Sequence, residues 1–77
     1  MATVFILVKA QPKKIEHIIM DLLTIEGIVR ALPVTGVYDI ITDLNADTIG
    51  DALKKVYQNV SKIPGIEHTE TLVVTPV

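Results

Sequence analysis

Asp39 sits in the stretch VTGVYDIITD, Val34 to Asp43, among residues that otherwise suit a turn and a strand. A carboxylate there could hold the ammonium group of a small ligand, with backbone groups at Thr35 and Gly36 taking the ligand's other polar atoms. It could equally be an acid at a frayed strand end, facing water or pairing with Arg30 across a hairpin, since strand-end acids commonly serve solubility. Later in the chain, Thr69 and Thr71 lie two residues apart on one side of a strand, with Glu67 before them and Glu70 between. They could line a polar pocket, or be solvated strand threonines. His17 and His68 are the only histidines. Neither has a partner at ligand spacing, which speaks against a metal site. Cysteine is absent, no Ser–His–Asp arrangement is in evidence, and Gly50 and Gly65 are isolated glycines rather than a phosphate-cradling loop. These residues point to binding rather than catalysis, with no cofactor implied.

The chain that must position them has 77 residues, enough for one domain over 1–77. So short a chain buries only ~60% of its unfolded surface, and without cysteines no disulfide supplements its core. Yet 49% of the residues are apolar and the mean hydropathy is +0.48. That excess points to a second buried surface, most simply between subunits. A formal net charge of −2 with only two lysine pairs, Lys13–Lys14 and Lys54–Lys55, disfavours direct nucleic-acid binding. Three aromatics are too few for a base-stacking platform. Apolar runs are too short to span a membrane, and a reducing cytoplasm is the expected setting.

Residues 3–9, TVFILVK, read as a strand covered on both faces. The segment QPKKIEHIIMDLLTIEG follows as a helix, with Pro12 in its first turn and Gly27 as its stop. Ile15, Ile18, Ile19, Leu22 and Leu23 form its apolar stripe. Residues 28–34 are a second strand, where Pro33 suggests an edge or bulge. Thr35-Gly36 makes a short hairpin into a third strand, VYDIITDL. Asp47 or Thr48 caps a second helix, with Asp51 in its first turn and Ile49, Leu53, Val56 and Val60 as its buried stripe. After IPGI at 63–66 comes a final strand, EHTETLVVTPV. Each helix ends in Ile-x-Gly-Ile, and this weak internal symmetry supports the order βαββαβ. Two right-handed crossovers joined by a hairpin predict an α+β, ferredoxin-like, four-stranded antiparallel sheet with both helices on one face.

Two helices cover one face of such a sheet. The other face is not polar: Phe5 and Leu7 alternate with Val4, Ile6 and Val8 in strand one, and Leu72, Val73 and Val74 leave strand four apolar on both sides. An open face of that kind exceeds the ~300–600 Å² patch usual on monomers. Burying ~600 Å² per subunit contributes ~15 kcal/mol gross, against ~4–15 kcal/mol for association. Two sheets packed face to face about a two-fold axis satisfy both. An obligate homodimer is the first expectation, and a monomer whose open face takes a partner protein is the second.

The ordered motifs Thr35-Gly36, Tyr38-Asp39, Pro64-Gly65-Ile66 and Thr69-x-Thr71 resemble the effector-binding (RAM) domain of the Lrp/AsnC transcriptional regulators, over nearly the whole chain from Thr3 to Val74. Each motif is short, and their order and spacing carry the resemblance. It implies a dimeric α/β barrel, often assembled into an octameric ring of four dimers, with free amino-acid effectors bound between dimers. It implies that Thr35, Gly36, Tyr38, Asp39, Thr69, Glu70 and Thr71 contribute to the effector site. It also implies modulation of oligomerisation, or of a full-length Lrp/AsnC regulator whose assembly the chain joins. Family members commonly carry a helix-turn-helix before this domain. Only Met1 and Ala2 precede the first strand here, which resembles the stand-alone form. Val37 departs from the acidic residue often seen between the glycine and the aromatic, removing a charge near the expected pocket.

Two other readings stand beside this one. Small dimeric α/β-barrel enzymes of the monooxygenase type share the architecture, and architecture does not fix function; they need a roomy, polar cavity between helices and sheet. A purely structural assembly module would form the ring and bind nothing. The amino-acid-binding ACT domain shares the strand order but usually pairs sheets side by side.

Overall fold

The computed structural model describes residues 1–75. The last two residues of the expected final strand, 76 and 77, lie outside the described residues. Four strands, β1 (Ala2–Ala10), β2 (Ile28–Pro33), β3 (Ile40–Ala46) and β4 (Ile66–Val73), form one antiparallel sheet in the order β2-β3-β1-β4. Helix α1 (Ile15–Leu22) joins β1 to β2, and α2 (Ile49–Gln58) joins β3 to β4. This is the ferredoxin-like βαββαβ arrangement, with the helices on one face.

Strand alternation decides what each face carries. Val4, Ile6, Val8 and Ala10 of β1 are buried beneath the helices, joined by Ala31, Ile40 and Leu44 from the neighbouring strands. Ile18 and Leu22 of α1, Ala52 and Val56 of α2, and Val60 just beyond it close the core from above. Thr42 is the buried polar residue of this layer, and its hydroxyl donates to the Arg30 carbonyl. The space between helices and sheet is therefore filled by aliphatic side chains.

Several expected boundaries shift. The first helix is shorter than the segment 11–27: a 3₁₀ turn at Pro12–Lys14 precedes α1, which ends at Leu22, and turns fill the stretch before Gly27. The hairpin between β2 and β3 is not a two-residue Thr35-Gly36 turn. Residues 34–39 all lie outside strands, and β3 begins at Ile40, so Tyr38 and Asp39 belong to the connection. The buried stripe of α2 is Ala52 and Val56, continued by Val60 beyond its end, while Ile49 and Leu53 are 40% and 42% exposed. Thr48 is the cap, accepting the Asp51 N–H at 3.0 Å. The bulge foreseen near Pro33 lies earlier, between Ile28 and Arg30.

The repeated Ile-x-Gly-Ile is a repeated device. Gly27 and Gly65 have φ of +95° and +96°, the region glycine enters freely. The carbonyl of Gly27 accepts the Asn45 N–H at 2.8 Å, and that of Gly65 accepts the Gln11 N–H at 3.0 Å. Each turn thus fastens the end of a crossover to the sheet, Gly27 onto β3 and Gly65 onto the residue just past β1, so the two halves of the fold are built alike.

Candidate functional site

The sheet face away from the helices runs in rows set by strand register. One row is Arg30, Asp43, Phe5 and Leu72, and the next is Leu32, Ile41, Leu7 and Glu70. Five of these eight are apolar and adjoin one another. Leu32 and Leu72 are 46% and 44% exposed. Polar pairs bound the patch on one side: Arg30 reaches Asp43 at 3.3 Å, and the Thr3 hydroxyl donates to Asn45 at 2.6 Å. Arg30 is thereby committed to Asp43, and the expected alternative pairing of Arg30 with Asp39 does not form.

The other end of the face holds the polar residues of interest. The Tyr38 hydroxyl donates to Glu70 Oε2 at 2.8 Å, and the Tyr38 ring stacks on His68 with centroids 6.4 Å apart and planes 23° from parallel. Lys9, paired with His68 in the sheet, donates from Nζ to the Val37 carbonyl at 3.4 Å. Tyr38 therefore straps the 34–39 connection to β4 across β1. Its pKa is raised above the ordinary 10.0, chiefly because ionisation would forfeit the hydrogen bond to Glu70; desolvation and the Glu70 charge act in the same direction.

Asp39 has a structural task. Its N–H donates to the Val8 carbonyl and its carbonyl accepts from Val34, both at 2.8 Å. Its carboxylate Oδ2 accepts the Ala10 N–H at 2.8 Å. At the end where β3 turns away, Ala10 would otherwise lose its ladder acceptor. The side chain of Asp39 supplies it, which is why an acid follows the turn. Gly36, at φ +112°, has open space where a side chain would stand.

The sequence-predicted residues fall into two groups. Thr35, Gly36, Tyr38, Asp39 and Glu70 gather around the end of the open face near the 34–39 connection. Thr69 and Thr71, paired with Val8 and Ile6, lie on the helix-covered face and cannot join that group within one copy. Thr69 instead lines a groove of about 670 Å³ with Gly50, Leu53, Lys54, Val56, Tyr57 and Ser61, between α2 and β4. The separation from Glu67 comes from a bulge: Lys9 pairs with His68 and Ala10 with Ile66, so Glu67 is skipped. Lys9 and His68 were not singled out from the sequence as site members; their adjacency rests on the β1–β4 register, which no local motif reveals. A more polar groove of about 470 Å³ lies at the far end of β3, lined in part by Glu26, Asn45, Asp47 and Lys55, and contains none of the predicted residues. Among the described residues, no group of three His, Cys, Asp or Glu is placed to hold a metal, and no helix is long and apolar enough to cross a membrane.

The profile of the Lrp/AsnC ligand binding domain matches residues 3–76, and the chain belongs to that family. Among solved structures, the hypothetical protein PHS023 from Pyrococcus horikoshii is 28% identical, with a TM-score of 0.89 over 100% of this chain and 93% of that one. FFRP-DM1 is 29% identical, with a TM-score of 0.90 over 97% of this chain and 100% of that one. The transcriptional regulator NMB0573 of Neisseria meningitidis, solved as a complex with L-Met, is 13% identical. It has a TM-score of 0.84 over 97% of this chain and 50% of that one, a likeness of fold. No curated protein matches the sequence. Membership of this family makes the chain a regulatory ligand-binding domain.

Proposed function

We propose that the chain senses a free amino acid, and that it does so as a face-to-face dimer whose further assembly responds to the ligand. The observation that carries this is the family match over residues 3–76. The L-Met bound by NMB0573 is a fold-level parallel for the ligand class. The effector site lies at the strapped end of the open face. There Glu70 is the exposed carboxylate suited to an ammonium group. The open backbone at Thr35 and Gly36 is suited to the ligand's carboxylate. Tyr38 and Asp39 hold the connection that presents them. Thr69 and Thr71 reach a shared site only if a second copy brings its helix-side surface close, which agrees with a site between dimers.

The apolar rows through Phe5, Leu7, Leu32, Ile41 and Leu72 are the surface for the second copy. An effector that prefers one assembly shifts the equilibrium by its differential affinity. The same assembly could admit a full-length Lrp/AsnC regulator in the cytoplasm. The chain acts as a binder, not a catalyst. The aliphatic filling beneath the helices supports that over the monooxygenase-type reading.

Isothermal calorimetry against each of the twenty amino acids at millimolar concentration tests the proposal. Heat with one or a few, weakened by Glu70→Gln, is the expected result. No heat with any amino acid would sink it.

A further inference from the structure

Two couples of opposite charge stand on the open sheet face, and they behave differently. Arg30 and Asp43, on neighbouring strands, close on each other at 3.3 Å. Lys9 and Glu70 do not. In the β1–β4 register Lys9 lies across from His68 and Leu7 across from Glu70. Lys9 and Glu70 are therefore diagonal neighbours, ~7–8 Å apart, a spacing that long side chains span. Both are exposed, yet among the described residues Lys9 forms no ion pair with any carboxylate.

Each of these two charges is held by a neutral partner instead. Glu70 Oε2 accepts from the Tyr38 hydroxyl at 2.8 Å, and the Tyr38 ring is stacked on His68. Lys9 Nζ turns toward the 34–39 connection and donates to the Val37 carbonyl at 3.4 Å, longer than the ~2.7–3.2 Å of a well-formed bond. Asp39, the acid of that connection, accepts the Ala10 N–H with Oδ2 and makes no ion pair with Lys9. The result is an ammonium and a carboxylate side by side, exposed and not neutralised by one another.

That arrangement is complementary to a molecule carrying both charges on one carbon. We propose that Lys9 receives the α-carboxylate of the amino acid while Glu70 receives its α-ammonium, so that the site takes free zwitterionic amino acids and rejects those whose carboxyl is blocked. This rests on the amino-acid reading above and adds to it a residue and a ligand class. The incoming carboxylate displaces the Val37 carbonyl from Lys9 Nζ, exchanging a long neutral contact for a charge-assisted bond, beside the backbone of Thr35 and Gly36. Tyr38 keeps Glu70 Oε2, and Oε1 serves the ammonium. A site whose charged group is left unpaired by an analogue discriminates strongly against that analogue.

Calorimetry on the whole chain compares each amino acid that gives heat with its own α-amide and with the 2-hydroxy acid of the same side chain. The wild type should bind the amide ~10–100-fold more weakly, the loss expected for one hydrogen bond between charged groups. Lys9→Met should bind amino acid and amide alike while still preferring the amino acid to the hydroxy acid. Lys9→Arg should keep the discrimination against the amide. Glu70→Gln should show the reverse pattern, losing discrimination against the hydroxy acid and keeping it against the amide. A merely loosened fold would weaken all three ligands together and leave these ratios unchanged. A wild type that binds amide and amino acid equally, or a Lys9→Met variant that still rejects the amide, would overturn the role of Lys9 and leave the amino-acid reading standing. No heat with any amino acid would overturn both.

Discussion

Replacing Asp39 by alanine tests whether this acid is a structural acceptor. The substitution leaves the Asp39 backbone bonds to Val8 and Val34 in place. It removes only the carboxylate that accepts the Ala10 N–H at 2.8 Å. Ala10 is 3% exposed, so its N–H is left poorly hydrated and without a partner. Such a loss costs ~1–3 kcal/mol. In a domain this small, each ~1 kcal/mol moves the melting midpoint by ~4–8 °C, so Asp39→Ala should melt ~4–24 °C below the wild type. Asp39→Asn keeps an oxygen at the same place and should fall at or below the lower end of that range. The assay is a thermal melt followed by circular dichroism, at one fixed protein concentration because assembly makes the midpoint concentration-dependent. An alanine variant that melts with the wild type would refute the acceptor role. If that variant also lost amino-acid binding, Asp39 would be a ligand group after all.

The Tyr38–Glu70 hydrogen bond predicts a late-titrating phenol. Phenolate absorbance should show a tyrosine ionising above pH 10, and Glu70→Gln should bring that step down. Because the folded-state pKa is raised, the bond favours folding below pH ~10 and loses that contribution as pH rises through the folded value. Gly27→Ala forces a Cβ to 2.5 Å from the Asn45 carbonyl oxygen at φ +95°. Chemical denaturation should show a loss of ~1–3 kcal/mol or more. Gly36→Ala meets no atom within 4 Å and should cost less than Gly27→Ala in the same experiment. Thr48→Ala removes the acceptor for the Asp51 N–H and should lower stability by ~0.5–2 kcal/mol.

The βαββαβ order was legible because each element carries its own period: β-branched alternation in 3–9, and 3.6-residue spacing in the helices. The paired Ile-x-Gly-Ile turns announced the internal symmetry. What the sequence hid was register and bulges. Val37 and Tyr38 have strand-forming side chains, yet the chain there is held by the Asp39 backbone and carboxylate at the end of β1, and local propensity does not report a contact 29 residues away. Thr69, Glu70 and Thr71 look like one polar run, but alternation sends Glu70 to Tyr38 and the threonines toward α2. Ile49 and Leu53 fit the helical stripe of α2 yet remain exposed, Leu53 beside the open groove between α2 and β4. A face apolar enough to need covering was plain from Phe5, Leu7 and Leu72. Its polar margins, Arg30 with Asp43 and Thr3 with Asn45, needed the β1–β3 and β2–β3 registers.

Light scattering at micromolar concentration, on the wild type and on Leu7→Glu, tests the covered sheet face most directly. The wild type should have a mass of at least twice 8.4 kDa. Leu7→Glu, which places a charge at the middle of the apolar rows, should fall to a smaller assembly while keeping its circular dichroism spectrum. A wild type present only as single 8.4 kDa chains, or a Leu7→Glu variant that assembles as the wild type does, would contradict the account.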